Sequence, residues 1–111
     1  MGGGKSKIIE EWREGSEWYR VWSNGLIEQG GRYEHGSSTS QLTVTISLNK
    51  VLSNADYAVV ASPQNTNATN AGGQNMNFRI GQSTNSSFLI SAYGNAGGDV
   101  TNAVNWYAVG S

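Results

Sequence analysis

The stretch Leu42-Thr43-Val44-Thr45-Ile46-Ser47-Leu48 alternates aliphatic and hydroxyl side chains at every position. Successive side chains of a β-strand point to opposite faces of a sheet, so this pattern predicts a strand with one buried and one polar face. The same alternation recurs in Tyr57/Val59/Ala61, Met76/Phe78/Ile80, Phe88/Ile90/Ala92 and Val104/Trp106/Ala108. The pattern predicts about eight strands, at residues 7–13, 17–23, 26–34, 41–49, 56–62, 75–82, 87–93 and 103–109.

Short strands at this spacing are typical of an all-β protein, either an antiparallel β-sandwich or a barrel. We predict the sandwich. Residues 7–14 have a spacing that could also form a short helix, but a strand is preferred there. Pro63 lies just past a predicted strand, where it would interrupt no ladder of hydrogen bonds.

The dipeptide Asn24-Gly25 lies between two strand-like runs. It predicts a hairpin with a two-residue turn, because both residues tolerate a positive φ. That turn would place Trp22 opposite Ile27 and Val21 opposite Glu28. Both faces of the hairpin would then carry large apolar side chains, so we expect one face to meet another subunit.

Composition excludes several classes of protein. The chain has 111 residues, enough for one domain, and a net charge of −1, so no basic surface is expected for nucleic acid. No apolar run is long enough for membrane insertion, and none follows Met1 as a signal peptide would require. The absence of Cys excludes disulfides and thiolate chemistry. Residues 1–6 are predicted to be a linker or an expression-derived start, and residues 7–111 a single sandwich domain.

The predicted connections divide into two sets. If every strand reverses the direction of the one before it, the connections 14–16, 35–40, 63–74 and 94–102 gather at one end of the sandwich. The connections 24–25, 50–55 and 83–86 gather at the other end. The first set is longer and richer in Asn and Gly, and it contains Asn-Ala-Gly-Gly twice, at 70–73 and 95–98. Such loops suit a neutral polar ligand, or they are solvated loops that bind nothing.

A tentative ligand site follows from these loops. Tyr93 lies where a strand enters a loop, and its ring could stack on a sugar or instead pack against a neighbouring loop or subunit. Arg79 is the only cation after Lys50 and could pair with Asp99 or bind an acidic ligand. The candidate ligand-binding residues are Tyr93, Arg79, Asn70, Asn95, Asp99 and Asn102.

Catalysis is not predicted. His35 is the only histidine, and no nucleophile motif points to a serine partner. Asp56 and Asp99 are the only acids after residue 35, and the strand order would place them at opposite ends. No cofactor and no metal site are predicted.

Two segments resemble a known family. Residues 18–31, Trp-Tyr-Arg-Val-Trp-Ser-Asn-Gly-Leu-Ile-Glu-Gln-Gly-Gly, resemble the opening "WYR-x-(Y/W)-S-(D/N)-G-x-x-EQGG" of C-terminal domains in tailed-phage tail fibres. Residues 104–110, Val-Asn-Trp-Tyr-Ala-Val-Gly, resemble their closing strand. Residues 42–61 resemble the middle of such domains more weakly.

The resemblance implies a homotrimeric, receptor-binding tip of a fibre, located in the virion and attached to an upstream fibre shaft. It also implies a sandwich similar to that of the H-type lectins, in which Tyr93 and Arg79 would lie near the sugar site. We therefore expect a non-enzymatic module that binds bacterial surface polysaccharide through its Asn/Gly-rich loops. The alternatives are a structural trimerisation cap with no ligand and, less in keeping with the scarcity of acids, a small glycan hydrolase.

Overall fold

A computed structural model describes residues 5–64, 76–94 and 101–111. Eight strands lie in these residues, and the predicted all-β fold is confirmed. They are β1 (Ile8–Glu14), β2 (Glu17–Trp22), β3 (Ile27–Thr39), β4 (Gln41–Ser47), β5 (Ala58–Gln64), β6 (Met76–Gly81), β7 (Ser87–Gly94) and β8 (Thr101–Gly110). The strand preferred over a helix near residues 7–14 is therefore correct. No helix in the described part of the chain could cross a membrane.

Two antiparallel sheets form a sandwich-like arrangement. A five-stranded sheet has the order β1-β2-β3-β8-β5, and a three-stranded sheet has the order β4-β7-β6. Every described pair is antiparallel and joins an odd-numbered strand to an even-numbered one, as the reasoning on loop ends requires.

The core lies between the sheets and is built from the alternating residues. Leu42, Ile46, Phe88 and Ile90 of the smaller sheet are buried against Val104, Trp106 and Ala108 of β8. The ring of Phe88 meets that of Trp106 edge-on, at 5.4 Å between centroids. Small and large side chains therefore interdigitate across the layer, as the packing of a sandwich core demands.

The connections at the shorter-turn end lie together. Leu48 and Leu52 donate backbone hydrogen bonds to the carbonyls of Ser86 and Asn85, at 2.8 and 2.9 Å. Ser53 donates to the carbonyl of Ser111 at 2.9 Å. Segments 50–55 and 83–86 are therefore neighbours, as predicted.

At the opposite end, most of residues 63–74 and 94–102 fall outside the described residues, but the strand ends that carry them meet. The amide of Gly94 donates to the carbonyl of Ser40 at 2.7 Å, and the hydroxyl of Thr101 donates to the carbonyl of Gln64 at 2.8 Å. The strands that carry these two connections therefore end at one edge of the sandwich.

Three sequence predictions about strand limits were wrong. Residues 35–39 continue β3 instead of forming a loop, across an irregularity where Gly36 has a φ of 87°. Pro63 lies inside β5, paired with Val104, and not beyond it. β5 is an edge strand, so the missing N–H of proline breaks no ladder. Residues 101 and 102 belong to β8 and not to the loop before it.

The register of the first hairpin differs by one residue from the prediction. Val21, and not Trp22, pairs with Ile27, while Arg20 pairs with Glu28. The amide of Trp22 donates to the carbonyl of Leu26, and that of Gly25 donates to the carbonyl of Trp22. A three-residue loop with Gly25 at a φ of 94° produces this geometry, which is the longer hairpin alternative to a two-residue turn. The side chain of Asn24 favours it by accepting a hydrogen bond from the Leu26 amide at 3.0 Å.

Gln29 connects β3 to the segment after β4. Its side chain is fully buried, and its oxygen accepts hydrogen bonds from the amides of Asn49 and Lys50 at 2.7 and 2.8 Å. Its nitrogen donates to the carbonyl of Lys50 at 2.9 Å. Every polar atom of this amide except one N–H is thereby satisfied inside the protein, which is the condition for burying it.

Two glycines follow Gln29 for steric reasons. A Cβ at Gly30 would lie 2.7 Å from the carbonyl oxygen of Trp106 and 2.9 Å from Nε1 of Trp18. A Cβ at Gly31 would collide with the carboxylate of Glu17, which accepts a hydrogen bond from the amide of Arg32 at 3.0 Å. Gly30 and Gly31 therefore allow Trp18, Trp106 and Glu17 to pack closely against β3.

The β1–β2 hairpin forms one edge of the five-stranded sheet. All seven residues of β1 are exposed, and the described residues extend over 56 × 26 × 25 Å. Trp12 stacks on Tyr19 at 5.7 Å, and Tyr19 donates a hydrogen bond to Glu10. Ile9 remains 63% exposed, so an edge strand with apolar side chains lies open to solvent in the single chain.

Candidate functional site

The outer face of the three-stranded sheet is polar. Period-2 alternation buries Phe88, Ile90 and Ala92 of β7 against the core and turns the residues between them outward. The outward residues of the three strands form cross-strand rows: Gln41–Tyr93–Asn77 and Thr43–Ser91–Arg79. A flat, mostly neutral, hydrogen-bonding surface results.

A groove lies on this face, next to the end that carries the Asn/Gly-rich connections. It has a volume of about 460 Å³ and is lined by Asn77, Phe78, Arg79, Ser91 and Tyr93. Tyr93 pairs with Asn77 and Ser91 pairs with Arg79, so all four polar side chains come from two adjacent strands. A rigid, paired platform therefore supports the groove floor.

Tyr93 is the aromatic group of the groove. Its side chain is 50% exposed, although its strand neighbours Phe88 and Ile90 are completely buried. A half-exposed ring offers a flat apolar surface and a hydroxyl to one ligand, which is the combination that sugars use. It is one residue from Gly94, where β7 ends.

Arg79 is the charged group of the groove. Within the described strands β4, β6 and β7 it is the only charged residue. Its side chain is exposed, and it forms no hydrogen bond or ion pair with any residue that the structure describes. Among the described residues, therefore, nothing occupies the hydrogen-bond donors of this guanidinium.

The six candidate residues have different positions. The structure brings Tyr93 and Arg79 into one groove. Asn102 lies in β8 of the other sheet and does not line this groove. Asn70, Asn95 and Asp99 lie outside the described residues, and so does the predicted pairing of Arg79 with Asp99.

Asn77 and Ser91 also line the groove, although the sequence analysis did not select them. Their positions follow from alternation, since each lies two residues from a selected residue on the same strand face. The missing information was the pairing of β6 with β7, which places Asn77 beside Tyr93 and Ser91 beside Arg79.

The five-stranded sheet has a different outer face. There Glu28 accepts hydrogen bonds from Nε1 of Trp22 and from the hydroxyl of Tyr107, both at 2.6 Å. Arg20 lies 4.8 Å from the Trp18 ring and 3.9 Å from the Glu28 carboxylate. The hydrogen bond from Tyr107, then that from Trp22, lowers the pKa of Glu28. Both oxygens of the Glu28 carboxylate are therefore hydrogen-bonded within the cluster, whereas Nε of Arg20 is buried without a hydrogen-bond partner.

The described residues offer little for catalysis. His35 lies at 3.3 Å from the hydroxyl of Tyr33, and no acid is bonded to it among the described side chains. Asp56 lies two residues before β5, at the shorter-turn end of the sandwich, and does not line the groove. No group of three or more His, Asp or Glu within the described ranges could hold a metal ion.

Comparison with known families agrees with this architecture. Residues 20–111 match the family described as "Putative tail fiber protein gp53-like, C-terminal". The chain belongs to this family. The predicted membership of the C-terminal domains of tail fibres is thereby confirmed, and the chain is a tail-fibre domain.

Solved structures share the fold. The chain is similar to an N-truncated R1-type pyocin tail fibre with a TM-score of 0.64 and 14% identity, over 98% of this chain and 88% of that one. It is similar to an N-truncated R2-type pyocin tail fibre with a TM-score of 0.62 and 14% identity, over 99% and 39% of the two chains. It is also similar to a P. aeruginosa R1 pyocin fibre, with a TM-score of 0.64 and 14% identity, over 98% of this chain and 29% of that one.

At this identity the likeness shows the fold alone, and this chain spans well under half of the last two structures. Among curated proteins, no sequence matches the chain significantly.

Proposed function

We propose that this tail-fibre domain is the non-enzymatic, host-recognising tip of the fibre. As a homotrimer at the distal end of a fibre shaft, it binds bacterial surface glycan through the Asn/Gly-rich end of its sandwich. The groove that contains Tyr93 forms part of that surface. The domain acts in the virion or in a virion-like particle.

The observation that carries this proposal is the half-exposed Tyr93 ring in a groove lined by polar groups and one cation, Arg79. Asn77 and Ser91 provide amide and hydroxyl groups beside it. An aromatic platform with neighbouring hydrogen-bonding groups fits one apolar face and the hydroxyls of a sugar. The position of the groove near the end of β7 places it where the longest connections begin.

Exposed apolar side chains on the edge strands β1 and β5 support assembly into a homotrimer. Ile9 is 63% exposed and Val60, on the outer face of β5, is 68% exposed. β1 lies at the edge of its sheet, and no strand in the described part of the chain pairs with its outer side. Exposed apolar side chains on an edge strand are typical of a protein–protein contact. Three weak sugar sites on one trimer would raise binding to a cell by about 10²–10⁴ when geometry allows.

A second candidate function is a structural cap that ends the fibre and binds nothing. The exposed strand β1 favours it independently of the groove, since trimer contacts alone would explain the exposed apolar side chains of that strand. Binding experiments separate the two, because only the recognition module needs the groove.

The test is binding of the fluorescently labelled chain to a panel of bacterial strains and to their purified surface polysaccharides. Tyr93→Ala should lose most of the cell binding, whereas Tyr93→Phe, which keeps the ring, should retain most of it. Thr45→Ala provides the matched control, because Thr45 is exposed on the same sheet face outside the groove. Binding to no strain would contradict recognition, and full binding by Tyr93→Ala would remove Tyr93 from the site.

Assembly and the absence of catalysis have separate tests. Sedimentation of the chain at micromolar concentration should give three times the monomer mass, and a monomer would contradict the trimer.

Polysaccharide that the chain binds should keep its length after prolonged incubation. Release of shorter chains would revive a hydrolase.

A further inference from the structure

We propose that the groove selects saccharides that carry a carboxylate or a phosphate, with Arg79 as the anion-binding group and Tyr93 as the platform for the sugar ring. This inference rests on the proposed glycan binding and adds the chemical class of the ligand.

The first argument is the state of the four arginines. Arg32 bonds Glu34 at 3.1 Å and also donates to Gln64 and Asn105, each at 2.8 Å. Arg20 and Arg13 lie over the Trp18 ring, at 4.8 and 5.9 Å. Arg79 alone lacks a polar or aromatic partner among the described residues. Arg32 is therefore hydrogen-bonded within the chain, and Arg20 and Arg13 contact an aromatic ring of the other sheet. Arg79 has neither kind of partner among the described residues and lines the groove beside Tyr93.

The second argument is the electrostatic isolation of Arg79. The strands β4, β6 and β7 carry no carboxylate, so nothing on the described part of this sheet neutralises the guanidinium. The whole chain has a net charge of −1, so it exerts no general attraction on anions. Within the described lining of the groove, Arg79 is therefore the group that can favour an acidic ligand.

The third argument is geometry. Arg79 pairs directly with Ser91, and Tyr93 lies two residues along the same face. Diagonal neighbours of this kind are about 7–8 Å apart at their Cα atoms, within reach of one ligand for long side chains. The guanidinium fork matches a carboxylate or phosphate through two parallel hydrogen bonds, while Ser91 and Asn77 can reach sugar hydroxyls.

The chemistry distinguishes an acidic from a neutral sugar. A hydrogen bond between ionised partners is roughly twice as strong as a neutral one. A neutral sugar would leave the guanidinium bonded to water, with little difference in affinity between Arg79 and an uncharged residue. We therefore expect acidic saccharides to bind about tenfold more tightly than their neutral counterparts, a preference that salt reduces by screening.

The experiment is a nuclear magnetic resonance titration of the full chain with matched saccharide pairs. The pairs are galacturonate and galactose oligomers, glucuronate and glucose oligomers, and a phosphorylated and an unmodified mannose oligomer. Acetate and inorganic phosphate alone test whether the anion suffices without the sugar. Amide shifts at Asn77, Arg79, Ser91 and Tyr93 report whether the ligand lies in the groove.

Two substitutions and a control sharpen the result. Arg79→Gln should bring acidic members down to the affinity of neutral ones, and Arg79→Lys should fall between, because it keeps the charge and loses the fork. Lys5→Gln removes one positive charge at an exposed position outside the groove and should change nothing. Carboxylate and phosphate pairs measured separately show which anion the site takes.

Four outcomes would overturn the proposal: equal affinity for acidic and neutral members, shifts outside the groove, an undiminished preference in Arg79→Gln, or no binding of any acidic member at millimolar concentration. A changed sedimentation mass of Arg79→Gln would also overturn it, by assigning Arg79 to a contact with a second copy. Cell binding by the wild type separates these failures from failure of the proposed function, since a domain that binds cells without acid preference keeps the function and loses only the selectivity.

Discussion

The two outer faces of this sandwich differ in whether their charged side chains have partners within the described part of the chain. On the five-stranded sheet, Glu28 is bonded by Trp22 and Tyr107 and lies near Arg20. On the three-stranded sheet, the single charge of Arg79 faces the groove with no described partner. A satisfied charge stabilises the architecture, whereas an unsatisfied charge at the surface contributes little to folding and remains available for recognition.

The largest effect is expected from the layer that both faces share. Phe88→Ala removes a fully buried ring that contacts Trp106, so both sheets lose their common support. We expect the free energy of unfolding to fall by about 3–5 kcal/mol. Urea denaturation followed by tryptophan fluorescence measures it, with Leu89→Ala, at the less buried neighbouring position, as the control. A loss no larger than that of the control would show that the two faces do not depend on this contact.

The next largest loss of stability is expected on the outer face of the five-stranded sheet, where Glu28 is hydrogen-bonded. Glu28→Gln replaces a carboxylate that accepts two charge-assisted hydrogen bonds by a neutral amide. The amide oxygen can still accept from Trp22, but Tyr107 must then change from donor to acceptor, and both bonds lose the contribution of the charge. A loss of about 1–3 kcal/mol in the free energy of unfolding is expected. Denaturation at neutral pH provides the number, and Glu11→Gln, on exposed β1, serves as the matched change of charge. Equal stability of the two variants would remove the contrast between the faces.

The lowered pKa of Glu28 also makes the free energy of unfolding depend on pH. We expect this effect to be smaller than the two losses described above. Hydrogen bonds from Tyr107 and Trp22 lower the pKa of Glu28 in the folded chain, while the unfolded side chain titrates near about 4.3. The stabilisation is therefore complete above the unfolded pKa and disappears as pH falls through the lower folded value. Urea midpoints between neutral pH and pH about 3 should fall less steeply in Glu28→Gln than in the wild type. Identical slopes would mean that Glu28 does not contribute.

The smallest change in stability is expected on the outer face of the three-stranded sheet, where Arg79 lies. Arg79→Gln should change the free energy of unfolding by less than about 0.5 kcal/mol, because the side chain is exposed and bonds no described residue. The same denaturation assay tests it beside Glu28→Gln. A loss comparable with that of Glu28→Gln would show that Arg79 serves the fold, and the comparison of the two faces would fail.

The sequence predicted strands β4 to β8 because each carries a local period of two. The stretch from Leu42 to Leu48 shows alternation that no helix would bury, and it forms β4. The register of the first hairpin was wrong because the hydrogen bond from the Leu26 amide to the Asn24 side chain stabilises a three-residue loop. Such a choice between two turns depends on atomic contacts and not on residue type alone.

The candidate site was predictable in part. Alternation placed Tyr93 and Arg79 on exposed positions, but their proximity depends on the pairing of β6 with β7. The strand from 35 to 39 was missed because Gly36 and its serine and threonine neighbours are typical of a loop, and pairing with β8 overrides that local preference. The roles of Asn70, Asn95 and Asp99 stay predictions, as does the trimer.

The buried amide of Gln29 has a consequence for protein engineering. Together with the bonds of Leu52 and Ser53, it fastens the segment after β4 to the rest of the sandwich, at the end opposite the Asn/Gly-rich connections. These contacts join described residues at one end of the sandwich and do not involve the sequences 65–75 and 95–100. Exchange of either sequence for that of a related fibre should therefore leave these contacts in place, which makes the domain a scaffold for altered binding specificity.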